Sequence, residues 1–159
     1  MLDPLLPPGF HHHWKSSFLA RLDDQVVETM LAHMDEAPTP LCQIVMEQFG
    51  GAVARVPAGA TAFAQRSAPY NMLVLGMAQS ADDYPAVRSW ARATWEALQP
   101  FCAEGAYLNY LGAAEEEGPQ RIRDAWGADT FARLAALKAE WDPENVFRSN
   151  QNVVPAISA

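Results

Sequence analysis

A chain of 159 residues, half of them hydrophobic and including five Trp and seven Phe, holds enough apolar material for one compact domain with its own core. Eleven Lys and Arg against nineteen Asp and Glu leave a formal net charge of -8, which repels phosphate backbones and anionic bilayers and argues against nucleic acid as a partner. The sequence has no apolar run of about 18 residues and no basic or continuous apolar segment at its start, so no membrane span or signal peptide is expected and the expected location is cytoplasmic.

Residues 1–8 carry three prolines and predict an extended arm or connection ahead of a domain over 9–155, with 156–159 as a short tail. The aromatic and imidazole content of Phe10 to Phe18 favours a strand, whose alternation puts His11, His13 and Lys15 on one face and His12, Trp14 and Ser16 on the other. Only two of the three histidines can then point the same way, and no Cys, Asp or Glu stands at ligand spacing, so no metal site is expected. Asp23 opens a helix to about Met34, with Val26, Val27, Met30, Leu31 and Met34 at helical spacing. Leu41 to Phe49 is an apolar run with a polar tip and predicts a second strand, broken by Gly50-Gly51. The small residues of Ala52 to Ala68 predict an irregular crossing, and Asn71 to Met77 is a nearly continuous apolar run that predicts a central strand.

Ser80-Ala81-Asp82-Asp83 starts a helix whose inner face is Val87, Trp90, Ala91, Thr94, Trp95 and Leu98, ended by Pro100. Gly105 to Gly112 encloses Tyr107-Leu108-Asn109-Tyr110-Leu111, read as a last strand that carries more hydrogen-bonding groups than packing requires. Glu115-Glu116-Glu117-Gly118 is expected to be a solvated acidic loop. Two helices follow, Pro119 to Trp126 and Asp129 to Trp141, the second capped by Asp129 or Thr130 with Phe131, Leu134, Leu137, Lys138 and Trp141 inside. The tail from Glu144 to Pro155 mixes amides with valines and an aromatic and is expected to pack back on the domain. Cys42 and Cys102 are too few for a disulfide framework and are expected to be free thiols.

The first six elements, strand, helix, strand, strand, helix, strand, predict an α+β, ferredoxin-like split βαβ domain. Its four-stranded antiparallel sheet carries the helices on one face, and two C-terminal helices and an ordered tail follow. No phosphate-binding loop, Gly-x-Ser-x-Gly elbow or His-Glu-x-x-His occurs, so the available chemistry rests on Tyr, Asn, Gln, His and Glu. A Tyr serves as a general base only when its phenol is brought well below its reference pKa of about 10.

Several ordered segments carry a family resemblance: Tyr107-Leu108-Asn109-Tyr110, Arg123-Asp124-Ala125-Trp126-Gly127, and Asp142-Pro143-Glu144-Asn145 leading to Phe147, Asn150-Gln151-Asn152 and Pro155. With Trp14-Lys15-Ser16, Gly50-Gly51-Ala52-Val53 and Phe63-Ala64-Gln65-Arg66 upstream, they resemble the C-terminal, substrate-domain region of the berberine-bridge-enzyme-like family of FAD-linked oxidases. The resemblance implies an oxidoreductase part that takes a hydride from an alcohol, sugar or alkaloid-like small molecule to FAD, usually with oxygen as final acceptor. It implies Tyr110 as the catalytic base, Asn109, Asn150 and Asn152 beside the flavin, and Tyr107, Phe49, Gln65 and Trp14 toward the substrate. Phe49 stands where relatives often have Tyr, and Gln65 where many have His. The family's FAD-binding domain is not in these residues, so the resemblance implies a partial FAD site completed by such a domain in trans, or lost by truncation. The alternative is a stand-alone ferredoxin-like module that binds a small molecule or dimerises, without catalysis; a homo-oligomer is left open.

Overall fold

The structure is a computed structural model and describes residues 8–112 and 114–157, without the side chains of 114 and 115. Three strands, β1 (His11–Leu19), β2 (Gln43–Gln48) and β3 (Tyr70–Ala78), form one sheet in the order β1-β3-β2. Both pairings are antiparallel. Between and after them lie α1 (Asp24–Asp35), the single turn α2 (Ala52–Arg55), α3 (Tyr84–Leu98), α4 (Ala114–Trp126) and α5 (Ala128–Trp141). The arm expected over 1–8 lies, apart from Pro8, outside the described residues, as do the last two residues of the tail.

The apolar run of β3 is buried almost throughout because it is the central strand. Its Met72, Val74 and Ala78 face Val26 and Met30 of α1 and Val87, Trp90, Ala91 and Leu98 of α3, which makes the main core. Gly76 belongs to this face, where an added Cβ would meet Val87 Cγ1 at 2.7 Å; the missing side chain is what lets α3 approach the strand. Asp23 caps α1 by accepting the Val26 N–H at 3.2 Å. The Trp90 indole donates to the His33 carbonyl at 2.7 Å and so locks α3 to α1. Both helices lie on one face of the sheet, as expected.

The fourth strand is not there. Leu108–Tyr110 is a 3-10 turn closed by Tyr110 N–H to Tyr107 O at 2.9 Å. The reason lies in the edge it would have joined. Phe18 and Ala20 of and beside β1 already bond the backbone of Phe101 and Ala103, and Arg121 Nη2 donates to the Ser16 carbonyl at 2.6 Å. With those groups taken, a five-residue segment leaving Gly105 at φ +83° gains more by turning than by pairing.

The acidic loop is a second correction. Residues 114–126 form α4, with a kink at Gly118 (φ +80°), and Glu117 is no surface group. Its side chain is only 2% exposed, takes Lys15 Nζ at 2.7 Å on Oε1 and Arg121 Nε at 2.7 Å on Oε2, and also accepts the Gly112 N–H at 3.2 Å. Trp95 lies against both cations, 5.6 Å from Lys15 Nζ and 4.8 Å from the Arg121 guanidinium. Burial would raise the Glu117 carboxyl, but the Lys15 hydrogen bond and charge, with Arg121 and the Gly112 N–H, outweigh it and hold the carboxyl below its ordinary value.

α5 also departs from the expectation. Gly127 precedes it and no side chain caps it, while Leu137 and Trp141 are 53% and 79% exposed; Thr130 and Ala135 are the buried residues. The tail is held by polar bonds: Asp142 accepts the N–H groups of Val146 and Phe147 at 2.8 and 3.0 Å, and Ala156 N–H reaches Ala135 O at 3.0 Å. Phe147, though, is 83% exposed. Cys42 and Cys102 are free. No helix among the described residues is long and apolar enough to cross a membrane.

Glu117→Gln removes one side of a buried ion pair and is expected to cost about 3 kcal/mol, read as a lower urea midpoint at pH 7. The Glu117 contribution is fully present above the ordinary Glu value of about 4.3 and is lost as pH falls from there through the lowered folded value. The variant's urea midpoint should therefore fall less than wild type's between pH 5 and about pH 3.

Candidate functional site

The site is built on the sheet face opposite α1 and α3. Register decides its composition: Glu47 of β2 pairs with Asn71 of β3, and Asn71 pairs with Phe18 of β1, so Ser16, Phe18, Asn71, Glu47 and Phe49 share that face. Three of these five are polar, and they form one hydrogen-bonded line across the strands. Ser16 Oγ donates to Asn71 Oδ1 at 3.1 Å, and Asn71 Nδ2 donates to Glu47 Oε2 at 2.7 Å. Tyr110 Oη donates to Glu47 Oε1 at 2.9 Å, so the line ends on the phenol of the 3-10 turn.

Around that line stands an aromatic cluster. The Tyr107 and Tyr110 rings are edge to face with centroids 5.1 Å apart, which a regular strand could not have produced because residues three apart point to opposite faces. Tyr107 also meets Phe49 at 5.7 Å and Phe63 at 5.8 Å, and Phe18 meets Phe49 at 5.7 Å. Trp14 of β1 meets Tyr110 at 6.5 Å. These edge-on contacts fix ring orientation as well as burying area. A cavity of about 300 Å³ opens beside the cluster, lined by Phe63, Ala106, Tyr107, Leu108, Asn109 and Trp126, at the lower end of small-molecule site volumes.

The structure therefore brings Tyr110, Tyr107, Phe49 and Trp14 together. Asn109 is exposed and donates to Tyr107 Oη at 3.0 Å. Gln65 stands apart from Tyr110: its amide donates to Asp124 O at 3.2 Å and lines a separate, polar cavity of about 550 Å³ with Gln99 and Arg121. Asn150 is exposed in the left-handed region at φ 58°. The side-chain oxygen of Asn152 is buried without a hydrogen-bond partner. Between them Gln151 donates to Leu111 O at 3.3 Å and Gly112 O at 2.9 Å, which ties the tail to the turn that carries Tyr110.

Electrostatics at Tyr110 favour the protonated phenol. Burial, the hydrogen bond to Glu47 and the Glu47 charge push its pKa up to about 12. Tyr110 is thus a hydrogen-bond donor already joined to a carboxylate, and among the described residues no cation acts on its phenol to favour a free phenolate. His13 lies on the helix-side face, and burial holds its imidazole below the ordinary value against the pull of Glu116. No group of three or more metal-ligating side chains occurs among the described residues.

Glu47, Asn71, Ser16 and Gln151 were not singled out as site residues from the sequence. The signal for two of them was present: Glu47 and Asn71 are polar residues set in otherwise apolar strand runs, and such a residue must find a partner.

With this geometry in place, the relatives decide the lineage. Residues 106–154 match the family model described as berberine and berberine like. The chain is 28% identical over 157 residues to an FAD-linked oxidoreductase of Dictyostelium discoideum, covering 98% of this chain and 33% of that protein. The chain is related to the berberine-bridge-enzyme-like FAD-linked oxidoreductases. It is also 30% identical over 131 residues to the berberine bridge enzyme-like Cyn d 4 of Cynodon dactylon, covering 72% of this chain and 25% of that one. A solved structure of a berberine bridge enzyme variant superposes with a TM-score of 0.78 at 18% identity, over 93% of this chain and 34% of its own, and shows a shared fold. This berberine-bridge-like region spans about a third of the length of the curated relatives it matches.

Glu47→Gln is expected to bring the Tyr110 phenol down from about 12 toward the free tyrosine value of about 10. The tyrosinate absorbance of the variant, followed from pH 9 to 12 against a Tyr110→Phe reference, measures this; an unmoved midpoint would mean that the contact does not persist in solution.

Proposed function

We propose that this region is the substrate-binding part of an FAD-dependent oxidoreductase that oxidises an alcohol, sugar or alkaloid-like small molecule. The single observation that carries the reading is the hydrogen-bonded pair Tyr110–Glu47 beside an aromatic-walled cavity, in a chain whose relatives are described as FAD-linked oxidoreductases.

The residues fit the edge of a flavin ring. Asn152 has a buried side-chain oxygen with no partner, an acceptor available to a ring N–H, and the exposed amides of Asn109 and Asn150 add donors and acceptors. No glycine-rich phosphate loop stands among the described residues, so the pyrophosphate needs an FAD-binding domain outside them. The exposed Trp141 and Phe147 supply apolar surface of the kind such a domain covers. When bound, FAD supplies the hydride acceptor.

The protein's own part is to take the proton. A phenol held near pKa 12 stays protonated at neutral pH and offers no free phenolate to act as a base. The pair removes that obstacle: as Tyr110 Oη accepts the substrate hydroxyl proton, its own proton passes along the 2.9 Å bond to Glu47 Oε1. One O–H bond forms at Tyr110 and one at Glu47 while the substrate O–H and the original phenol O–H break, and the negative charge leaves Glu47. Tyr107 and Trp14 pack edge-on against Tyr110, and Phe49 against Tyr107.

The test combines the chain with the FAD-binding domain of a relative and follows flavin reduction over a panel of alcohols and sugars. Tyr110→Phe should keep the flavin and lose at least about 100-fold in reduction rate. Unchanged reduction in that variant removes Tyr110 from the reaction.

A further inference from the structure

One polar side chain on the site face exchanges no proton in this scheme. Asn71 is completely buried in the central strand, where an unpaired amide would carry a substantial desolvation cost. Its two ends meet different partners. Nδ2 donates to Glu47 Oε2 at 2.7 Å, and Oδ1 accepts from Ser16 Oγ at 3.1 Å. An ionised carboxylate can only accept hydrogen bonds, so the amide must present its nitrogen to Glu47. The Ser16 hydroxyl donates to the end that remains. A flipped amide would set its carbonyl oxygen against the carboxylate, so the two bonds together select one orientation.

The same arrangement divides the Glu47 carboxylate. Asn71 occupies Oε2, which leaves Oε1 for Tyr110. Ser16, Asn71 and Glu47 all lie on regular strands whose register places them side by side, whereas Tyr110 lies on a turn. The strand side of the contact is therefore the rigid one. We propose that Ser16 and Asn71 are positioning residues, which orient the Glu47 carboxylate so that Oε1 faces the Tyr110 hydroxyl before any substrate arrives. This rests on the Tyr110–Glu47 reading of the site, and its test needs neither flavin nor turnover.

Charged and titratable groups facing Tyr110 are Glu47 from β2 and Tyr107 from its own turn, with the uncharged Trp14 edge-on from β1. The reporter is the Tyr110 phenol itself, followed in the 159-residue chain by NMR of 13Cζ-labelled tyrosine and assigned with Tyr110→Phe. In Asn71→Leu the carboxylate loses its anchor and turns from the phenol, and the Tyr110 midpoint should fall by about one pH unit from its wild-type value. Ser16→Ala keeps Asn71 but frees its orientation, and should give a smaller fall in the same direction. Backbone amide spectra confirm that each variant is folded. A native-like Asn71→Leu with the wild-type midpoint overturns the proposal. Should that variant not fold, Ser16→Ala decides: a fall supports the proposal and an unmoved midpoint overturns it. Glu47→Gln separates the two readings. If it lowers the midpoint while folded Asn71→Leu does not, only the positioning role fails; if Glu47→Gln leaves it unmoved, the Tyr110–Glu47 contact fails, and the positioning role with it.

Discussion

A single buried carboxylate ties the parts of this structure together. Glu117 receives Lys15 from β1, Arg121 from its own helix and the Gly112 N–H from the end of the Tyr110 turn. Neither cation could stay where it is without this anion, because an uncompensated buried charge costs several kcal/mol. The pairing draws α4 onto the edge of the sheet, and Arg121 then reaches the Ser16 carbonyl and closes that edge. The Tyr110 turn is thereby held from one side, and Gln151 of the tail holds it from the other.

The site depends on this frame because its two halves come from different kinds of structure. Glu47, Asn71 and Ser16 sit on strands, where register fixes spacing; Tyr107 and Tyr110 sit on a turn, which has no ladder to fix it. Edge-on packing against Phe49, Phe63 and Trp14 and the bond to Glu47 are what seat the turn on the sheet. Burial and this same bond raise the phenol's pKa, so the contact that orients Tyr110 also helps to keep it protonated.

How much of this was legible depended on whether the deciding information was local. Apolar periodicity places α1, α3 and β3 close to their observed limits, and alternation in β1 separates His13 and Lys15 from Trp14 and Ser16 as the structure does. The Tyr107 to Leu111 run fails as a strand because pairing needs a free edge, and whether β1 offers one depends on Arg121 and Ala103, which lie elsewhere in the chain. Glu117 fails as a surface residue for the same reason: three adjacent acids look solvated until Lys15, 102 residues away in sequence, is brought against one of them. Leu137 and Trp141 have helical spacing yet stay exposed, since spacing says which residues share a face and not what covers it.

By itself the sequence determined α1, α3, α5, the three paired strands and the lineage, because periodicity, breakers and ordered motifs are written in neighbouring residues. It also marked the Tyr107 to Tyr110 run as carrying more hydrogen-bonding groups than packing requires. Only the tertiary structure decided which group Tyr110 speaks to. Glu47 and Tyr110 are 63 residues apart, and their meeting rests on a strand register, a turn in place of a strand and a buried ion pair. None of these is set by local propensity; each is set by which buried polar groups find partners when the chain closes on itself.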